Sequence, residues 1–195
     1  MSYYPIFLDL RGRECLVVGG DKIATRKVEG LLRAGAKVTV ISLEITETLR
    51  AWEQQGKVRH LKRCYQKGDL KDHFLVYGAT GLREVDDQMA AEARSEGVLL
   101  NVVDHPTLCG FINPAVLQRG NLTIAISTGG KSPGFARLVR QQLEDFVGPE
   151  YGVALEAVGA KRNELRQACP DAEERQRLLN EFMESPALDL IRRGR

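Results

Sequence analysis

Apolar residues in the first half of the chain fall into short runs, and longer stretches of helical spacing separate them. Cys15–Val18, Val38–Ile41, Val58–Leu61, Phe74–Ala79 and Val98–Val103 are rich in Val, Leu and Ile and predict five strands. Between the first two, Ile23, Ala24, Val28, Leu31 and Leu32 mark a helix ended by Gly35. Val85, Met89 and Ala93 mark another at i, i+4 and i+8, ended by Gly97. Glycine stops a helix because it tolerates a left-handed backbone. Strands alternating with helices imply right-handed crossovers and a parallel, doubly wound α/β sheet. Ligands of such sheets bind beyond the carboxyl ends of the strands. The chemistry is therefore expected just after Val18, Ile41, Ala79 and Val103.

The pattern changes after residue 110. Phe111–Leu117 and Leu122–Ser127 flank Arg119-Gly120-Asn121 and predict an antiparallel hairpin. A helix follows, with Ser132 as N-cap and Pro133 in its first turn. Gln142 alone interrupts its apolar face of Phe135, Leu138, Val139 and Phe146, and Gly148-Pro149 ends it. The remainder reads as helical, with breaks at Pro170 and Pro186. A hairpin and helix too small for a core of their own pair with a second copy, so a homodimer through residues 113–147 is expected.

Composition narrows the class of protein. The 195 residues, 43% hydrophobic, suit one mid-sized domain with a smaller one appended. A chain of this size buries enough surface to fold without disulfides. A net charge of +2 supplies no bulk field for nucleic acid or an anionic membrane, and Arg192-Arg193-Gly194-Arg195 reads as a solvated tail. Cys15, Cys64, Cys109 and Cys169 lie far apart without zinc-finger or thioredoxin spacing, which favours reduced thiols. With no signal-like N-terminus and no long apolar run, a cytoplasmic protein with neither nucleic-acid nor membrane partners is expected.

Leu16-Val17-Val18-Gly19-Gly20-Asp21-Lys22-Ile23-Ala24 runs from strand through glycine turn into helix, the setting of a dinucleotide fingerprint. Gly19 supplies the tight turn and Ala24 the small residue where helix packs on strand. Free N–H groups at the helix start face a pyrophosphate in such a loop. Asp21 takes the position where a second glycine lets the backbone approach the phosphates. A carboxylate about 5 Å from a phosphate charge costs roughly 3 kcal/mol at an effective dielectric of about 20. Capping of the helix by Asp21, or neutralisation by Lys22, softens that cost. Ser42 and Glu44, after the second strand, are the candidates for ribose hydroxyls; Glu44 reads equally as a solvated residue of the next helix.

Several short motifs now stand in order. They are Pro5-Ile6-Phe7, Val18-Gly19-Gly20, Arg26-Lys27, Ala79-Thr80 and Asn101-Val102-Val103-Asp104. Cys109-Gly110-Phe111 with Pro114, and Ile126 through Pro133, complete the series. Together they resemble the precorrin-2 dehydrogenase/sirohydrochlorin ferrochelatase family, including the N-terminal half of multifunctional siroheme synthases. The resemblance covers roughly residues 1–165. It implies a Rossmann domain over 1–112, a small α+β dimerisation domain over 113–147 and a helical C-terminal domain over 148–195. It further implies NAD+ as oxidant and precorrin-2 as substrate, with ferrous iron as a second substrate in bifunctional members.

Residue by residue, the family's catalytic aspartate falls on Asp104 and its cofactor contacts on Lys22, Ile23, Leu43 and Glu44. Thr128 stands where some relatives carry a phosphorylated serine, and Asp21 where the family has a third glycine. The methyltransferase half of the multifunctional enzymes has no counterpart, so a separate protein is expected to supply precorrin-2.

Oxidation of precorrin-2 removes a hydride and a proton. Asp104, ending the fifth strand, stands where such a base belongs, although Asp before His-Pro also favours a turn. Gly19, Gly20, Asp21 and Thr80 join the cofactor candidates. Asn101, inside a strand, needs a buried amide partner, either the nicotinamide edge or a neighbouring backbone group. His105 reads as an exposed loop residue, and no metal cluster is evident. Thr128-Gly129-Gly130-Lys131-Ser132 lacks the leading glycine of a Walker A loop because Ala125 stands there. Lys131, Arg137 and Arg140 are candidates for the substrate carboxylates, or solvated helix charges. Two alternatives stand beside the dehydrogenase: a chelatase with a weakened cofactor site, and a non-catalytic tetrapyrrole- or NAD-binding module.

Overall fold

The computed structural model describes residues 3–185, so Pro186 and the arginine-rich tail lie outside the described residues. The chain divides into two compact units, Met1–Ile112 and Asn113–Arg195.

The first unit is built on β1 (Glu14–Val18), β2 (Lys37–Ile41), β3 (Val58–Leu61), β4 (Leu75–Gly78) and β5 (Leu99–Val102). All pair in parallel in the order β3-β2-β1-β4-β5, so the chain reverses direction across the sheet between β3 and β4. Strand side chains alternate between faces. Cys15 and Val17 therefore pack on one side with Val28 and Leu31 of α1 (Lys22–Arg33) and Leu49 of α2 (Glu47–Gln54). Leu16 and Val18 pack on the other with Met89, Ala90 and Ala93 of α3 (Arg83–Glu96). Both faces are covered, which is why the strands read as unbroken apolar runs.

The β3–β4 crossover, residues 62–74, contains no helix. It is held by one buried side chain, Glu92 of α3, whose carboxylate accepts from the Tyr65 hydroxyl, Gly68 N (2.9 Å) and Leu70 N (2.7 Å). Burial, reinforced by the Glu92 carboxylate, pushes the Tyr65 hydroxyl well above its ordinary pKa, so it remains a donor. Leu70, fully buried, pins the middle of the crossover against the sheet.

The second unit opens with β6 (Ala115–Arg119) and β7 (Leu122–Ile126), an antiparallel pair joined at Gly120-Asn121. Gly120 takes φ +57, the conformation a two-residue hairpin demands. β6 begins four residues later than the apolar pattern suggests. Phe111 belongs instead to the first unit, edge-on to Tyr77 at 5.6 Å. Ser132 caps α4 (Pro133–Phe146) by accepting from Phe135 N at 3.2 Å. Helices α5 (Glu150–Ala168) and α6 (Ala172–Met183) follow, and Asp171 caps α6. Gly152 of α5 lies so close to the hairpin that a Cβ there would meet Arg119 O at 2.8 Å.

Glu92→Ala strands buried N–H donors of the crossover, so the unfolding free energy should fall by about 3 kcal/mol. Urea denaturation measures this; a loss below about 1 kcal/mol would show that packing at Leu70 alone holds the segment.

Candidate functional site

The end of β1 meets its neighbours backbone to backbone. Gly19 N donates to Ile41 O at 2.9 Å, Ala79 N to Val18 O at 2.8 Å, and Thr46 N to Gly20 O at 3.0 Å. Gly19 takes φ +130, and a Cβ there would stand 2.2 Å from Ala79 O. A Cβ on Gly20 would stand 1.9 Å from Glu44 O. Glycine is required at both positions by the protein's own packing. The Thr25 and Thr46 hydroxyls, 2.8 Å apart, tie α1 to the segment that follows β2.

Asp21 is the N-cap of α1. Its Oδ1 accepts from Ile23 N at 2.9 Å and Ala24 N at 2.8 Å. One carboxylate thus satisfies two donors that a phosphate at this helix terminus would otherwise share. The N–H groups of Gly20, Asp21 and Lys22 have no partner among the described residues. Those unpaired donors, at the positive end of α1, suit a pyrophosphate. The Asp21 carboxylate lies beside them at the same helix terminus.

A cleft of about 620 Å³ opens over this loop, lined by Gly19, Gly20 and Asp21 and by Ser42, Leu43 and Glu44 after β2. The Ser42 hydroxyl is occupied by Glu44 O at 2.6 Å, whereas the Glu44 side chain is exposed. Thr80, Gly81, Leu82 and Val85 form the wall beyond β4. Arg63, Cys64 and Tyr65, from the crossover after β3, form another. Asp69 holds the Arg63 guanidinium through two bonds of 2.7 Å and raises its pKa. Sequence reasoning missed Arg63 and Tyr65. The rule of looking beyond each strand's carboxyl end, applied to β3 as well, would have reached them.

The structure thus gathers Gly19, Gly20, Asp21, Leu43, Glu44 and Thr80 around one cleft, while Lys22 and Ile23 lie just inside α1 and outside its lining. The Thr80 hydroxyl is engaged: it accepts from Leu82 N at 3.0 Å and donates to Asp86 Oδ1 at 2.7 Å. Asn101 is buried in β5 and donates to Phe111 O at 2.9 Å, the backbone-group alternative, outside the cleft lining.

Asp104 lies beyond the end of β5, exposed, at the same sheet edge as the Thr80 loop. Its φ of +62 is a left-handed value that few non-glycine residues adopt, in a turn closed by His105 N and Val102 O at 3.4 Å. Strain of this kind concentrates at functional sites. The Cys109 thiol braces the turn from inside: its sulfur accepts from Val102 N at 3.2 Å, and its single S–H faces Val102 O at 3.2 Å and His105 O at 3.4 Å. Burial pushes this thiol's pKa up, which keeps it a proton donor.

In the second unit, Lys131 and Arg137 are exposed and Arg140 pairs with Glu144 one turn along α4. The Thr128 hydroxyl bonds to both N and O of Ser132 at 3.1 Å. No group of three His, Cys, Asp or Glu side chains among the described residues is arranged to hold a metal ion.

A parallel sheet with a glycine loop, a helix N-terminus and a cleft at the strand ends defines a dinucleotide-binding α/β protein. The family model described as NAD(P)-binding matches residues 6–115, over half of the chain, and the chain belongs to that family. The model of the sirohaem biosynthesis protein central segment matches residues 119–145. The chain is 36% identical over its whole length to a siroheme synthase of Thioalkalivibrio sulfidiphilus and 38% identical to one of Nitrosomonas europaea. It spans 40% and 41% of those relatives. The solved structure of SirC, precorrin-2 dehydrogenase, matches with a TM-score of 0.81 at 27% identity, over 96% of this chain and 92% of that one.

Asp21→Gly should tighten NAD+ binding tenfold or more, about 1.4 kcal/mol, by freeing two donors and removing a like charge. Its cost to stability is a few tenths of a kcal/mol, roughly that of exchanging one good N-cap for glycine. Isothermal titration decides; an unchanged dissociation constant would show that the carboxylate does not oppose the phosphates.

Proposed function

We propose that this protein oxidises precorrin-2 to sirohydrochlorin with NAD+ in siroheme biosynthesis. One observation carries the reading: the glycine loop with its unpaired N–H groups and the strained Asp104 turn lie at the carboxyl edge of one parallel sheet. When bound, the nicotinamide supplies a hydride acceptor. Gly20, Asp21 and Lys22 would offer main-chain N–H groups to the pyrophosphate, and Leu43 and Glu44, which line the cleft after β2, would receive the ribose.

Asp104 takes the proton that precorrin-2 loses, and the accompanying hydride would go to the bound cofactor, so that sirohydrochlorin, NADH and a proton balance the reaction. Asp104 is exposed just beyond the end of β5, which leaves its carboxylate open to a bulky macrocycle. Lys131 and Arg137, free of ion pairs to other described residues, are the better candidates to receive substrate carboxylates; Arg140 already has Glu144.

The same Asp104 would take pyrrole protons during insertion of ferrous iron as a substrate. The Asp21 charge at the phosphate site favours that second reading, an NAD-independent chelatase. Free Cys15, Cys64, Cys109 and Cys169 fit a reducing, cytoplasmic setting; no described helix is long and apolar enough to cross a membrane.

A homodimer belongs to the reading. Phe135, Leu138 and Phe146 expose 58%, 48% and 72% of their surface along α4, and a second copy covers such a face. Sedimentation equilibrium should return twice the chain mass, falling to a single mass in Phe135→Asp with Leu138→Asp; a monomeric wild type contradicts the assembly.

Asp104→Ala should abolish anaerobic precorrin-2 oxidation while NAD+ affinity stays within about twofold. Asp104→Gly should be equally inactive yet more stable by about 1 kcal/mol, because glycine relieves the left-handed strain. Full turnover in either variant removes Asp104 from the mechanism.

A further inference from the structure

Asp86, in the first turn of α3, is 1% exposed, and its two oxygens serve two different loops. Oδ1 accepts from the Thr80 hydroxyl at 2.7 Å, on the loop that walls the dinucleotide cleft. Oδ2 faces Nε2 of His105 at 3.6 Å, beside Asp104. On the far side of the ring, Arg83 Nη1 lies 3.2 Å from His105 Nδ1, while its Nε donates to Asp87 at 3.0 Å.

A guanidinium has no acceptor, so Arg83 must donate and Nδ1 must accept. The neutral ring therefore carries its hydrogen on Nε2, pointing at Asp86. At 3.6 Å this contact is longer than a formed hydrogen bond, and catalytic contacts of this kind shorten when ligand binds.

The backbone bond closing the Asp104 turn is long, 3.4 Å from His105 N to Val102 O. The anchors of the turn are accordingly side chains: Cys109 within, and outside it the His105 ring, bonded to Arg83 and facing Asp86.

We propose that Asp86 and His105 form a positioning pair that locks the cofactor-side loop at Thr80 to the base-side turn at Asp104, with His105 held as its Nε2–H tautomer. The pair keeps the base and the cofactor wall in register, and neither residue exchanges a proton with substrate. The catalytic consequence rests on the dehydrogenase reading; the tautomer does not.

The chain has three histidines, so long-range proton–nitrogen NMR of the histidine-labelled full-length protein resolves His105 directly. The Nε2–H form is expected in the wild type, and a mixture of tautomers once Asp86→Leu is combined with Arg83→Leu, which removes the groups on both sides of the ring; a predominantly Nδ1–H ring in the wild type overturns the pair.

In turnover, His105→Phe keeps a flat aromatic ring, somewhat larger, and removes both polar atoms. A fall in kcat of about tenfold or more is expected, with the NAD+ dissociation constant within about twofold. Asp86→Asn should retain most activity, since its amide oxygen still accepts from His105 while its nitrogen reaches Thr80. An unchanged kcat in His105→Phe overturns the positioning role even if Asp86→Leu does not fold. A wild type that binds NAD+ without oxidising precorrin-2 overturns the dehydrogenase reading instead, and the tautomer then judges the pair alone.

Discussion

The backbone of Gly19 and Gly20 is wedged between the carbonyls of Ala79 and Glu44, with no room for a side-chain carbon at either position. That close approach fixes where β1 stops, where α1 begins, and how the segments after β2 and β4 stand around the loop. The helix N-terminus is consequently delivered to the floor of the cleft with main-chain donors left over. Any methyl group there would push the strand ends apart before a ligand arrived. The site is therefore a product of packing first and of chemistry second.

Around that wedge, carboxylates rather than regular structure organise the loops of the sheet edge. Asp21 caps α1, Asp69 holds Arg63, Glu92 gathers the β3–β4 crossover, and Asp86 spans the loops after β4 and β5. Glu92 and Asp86 are almost wholly buried, where an unpaired charge would be severely unfavourable. Each is matched by N–H or O–H groups from a loop. A loop that departs from its carboxylate leaves both sides unsatisfied, which makes the edge rigid without helices or strands to stiffen it.

Much of this fold was legible in the sequence because burial on both faces writes strands as apolar runs, as at Cys15–Val18 and Val38–Ile41. The capping role of Asp21 was visible for a similar reason, since an N-cap and the donors it satisfies lie within three residues. The β6 boundary was not, because Phe111 is apolar on behalf of the first unit's core beside Tyr77. Arg63, Tyr65 and Asp86 escaped notice for another reason. The significance of Tyr65 and Asp86 lies in partners distant along the chain, and that of Arg63 in the cleft wall it forms: Glu92 is 27 residues from Tyr65, and His105 stands on the loop after β5 whereas Asp86 is in α3. His105 looked like an exposed loop residue, yet its side chain is only 33% exposed, bonded by Arg83 on one side and facing Asp86 on the other. Local patterns carry elements and caps; contacts across loops need the folded sheet.

The central claim is that the cleft and the Asp104 turn serve a single two-electron oxidation. Its most direct measurement is the ratio of NADH to sirohydrochlorin formed from enzymatically generated precorrin-2 under strictly anaerobic conditions. The account predicts multiple turnovers that require NAD+, with one NADH appearing for each sirohydrochlorin. Sirohydrochlorin formed no faster with the protein and NAD+ than without them would contradict it.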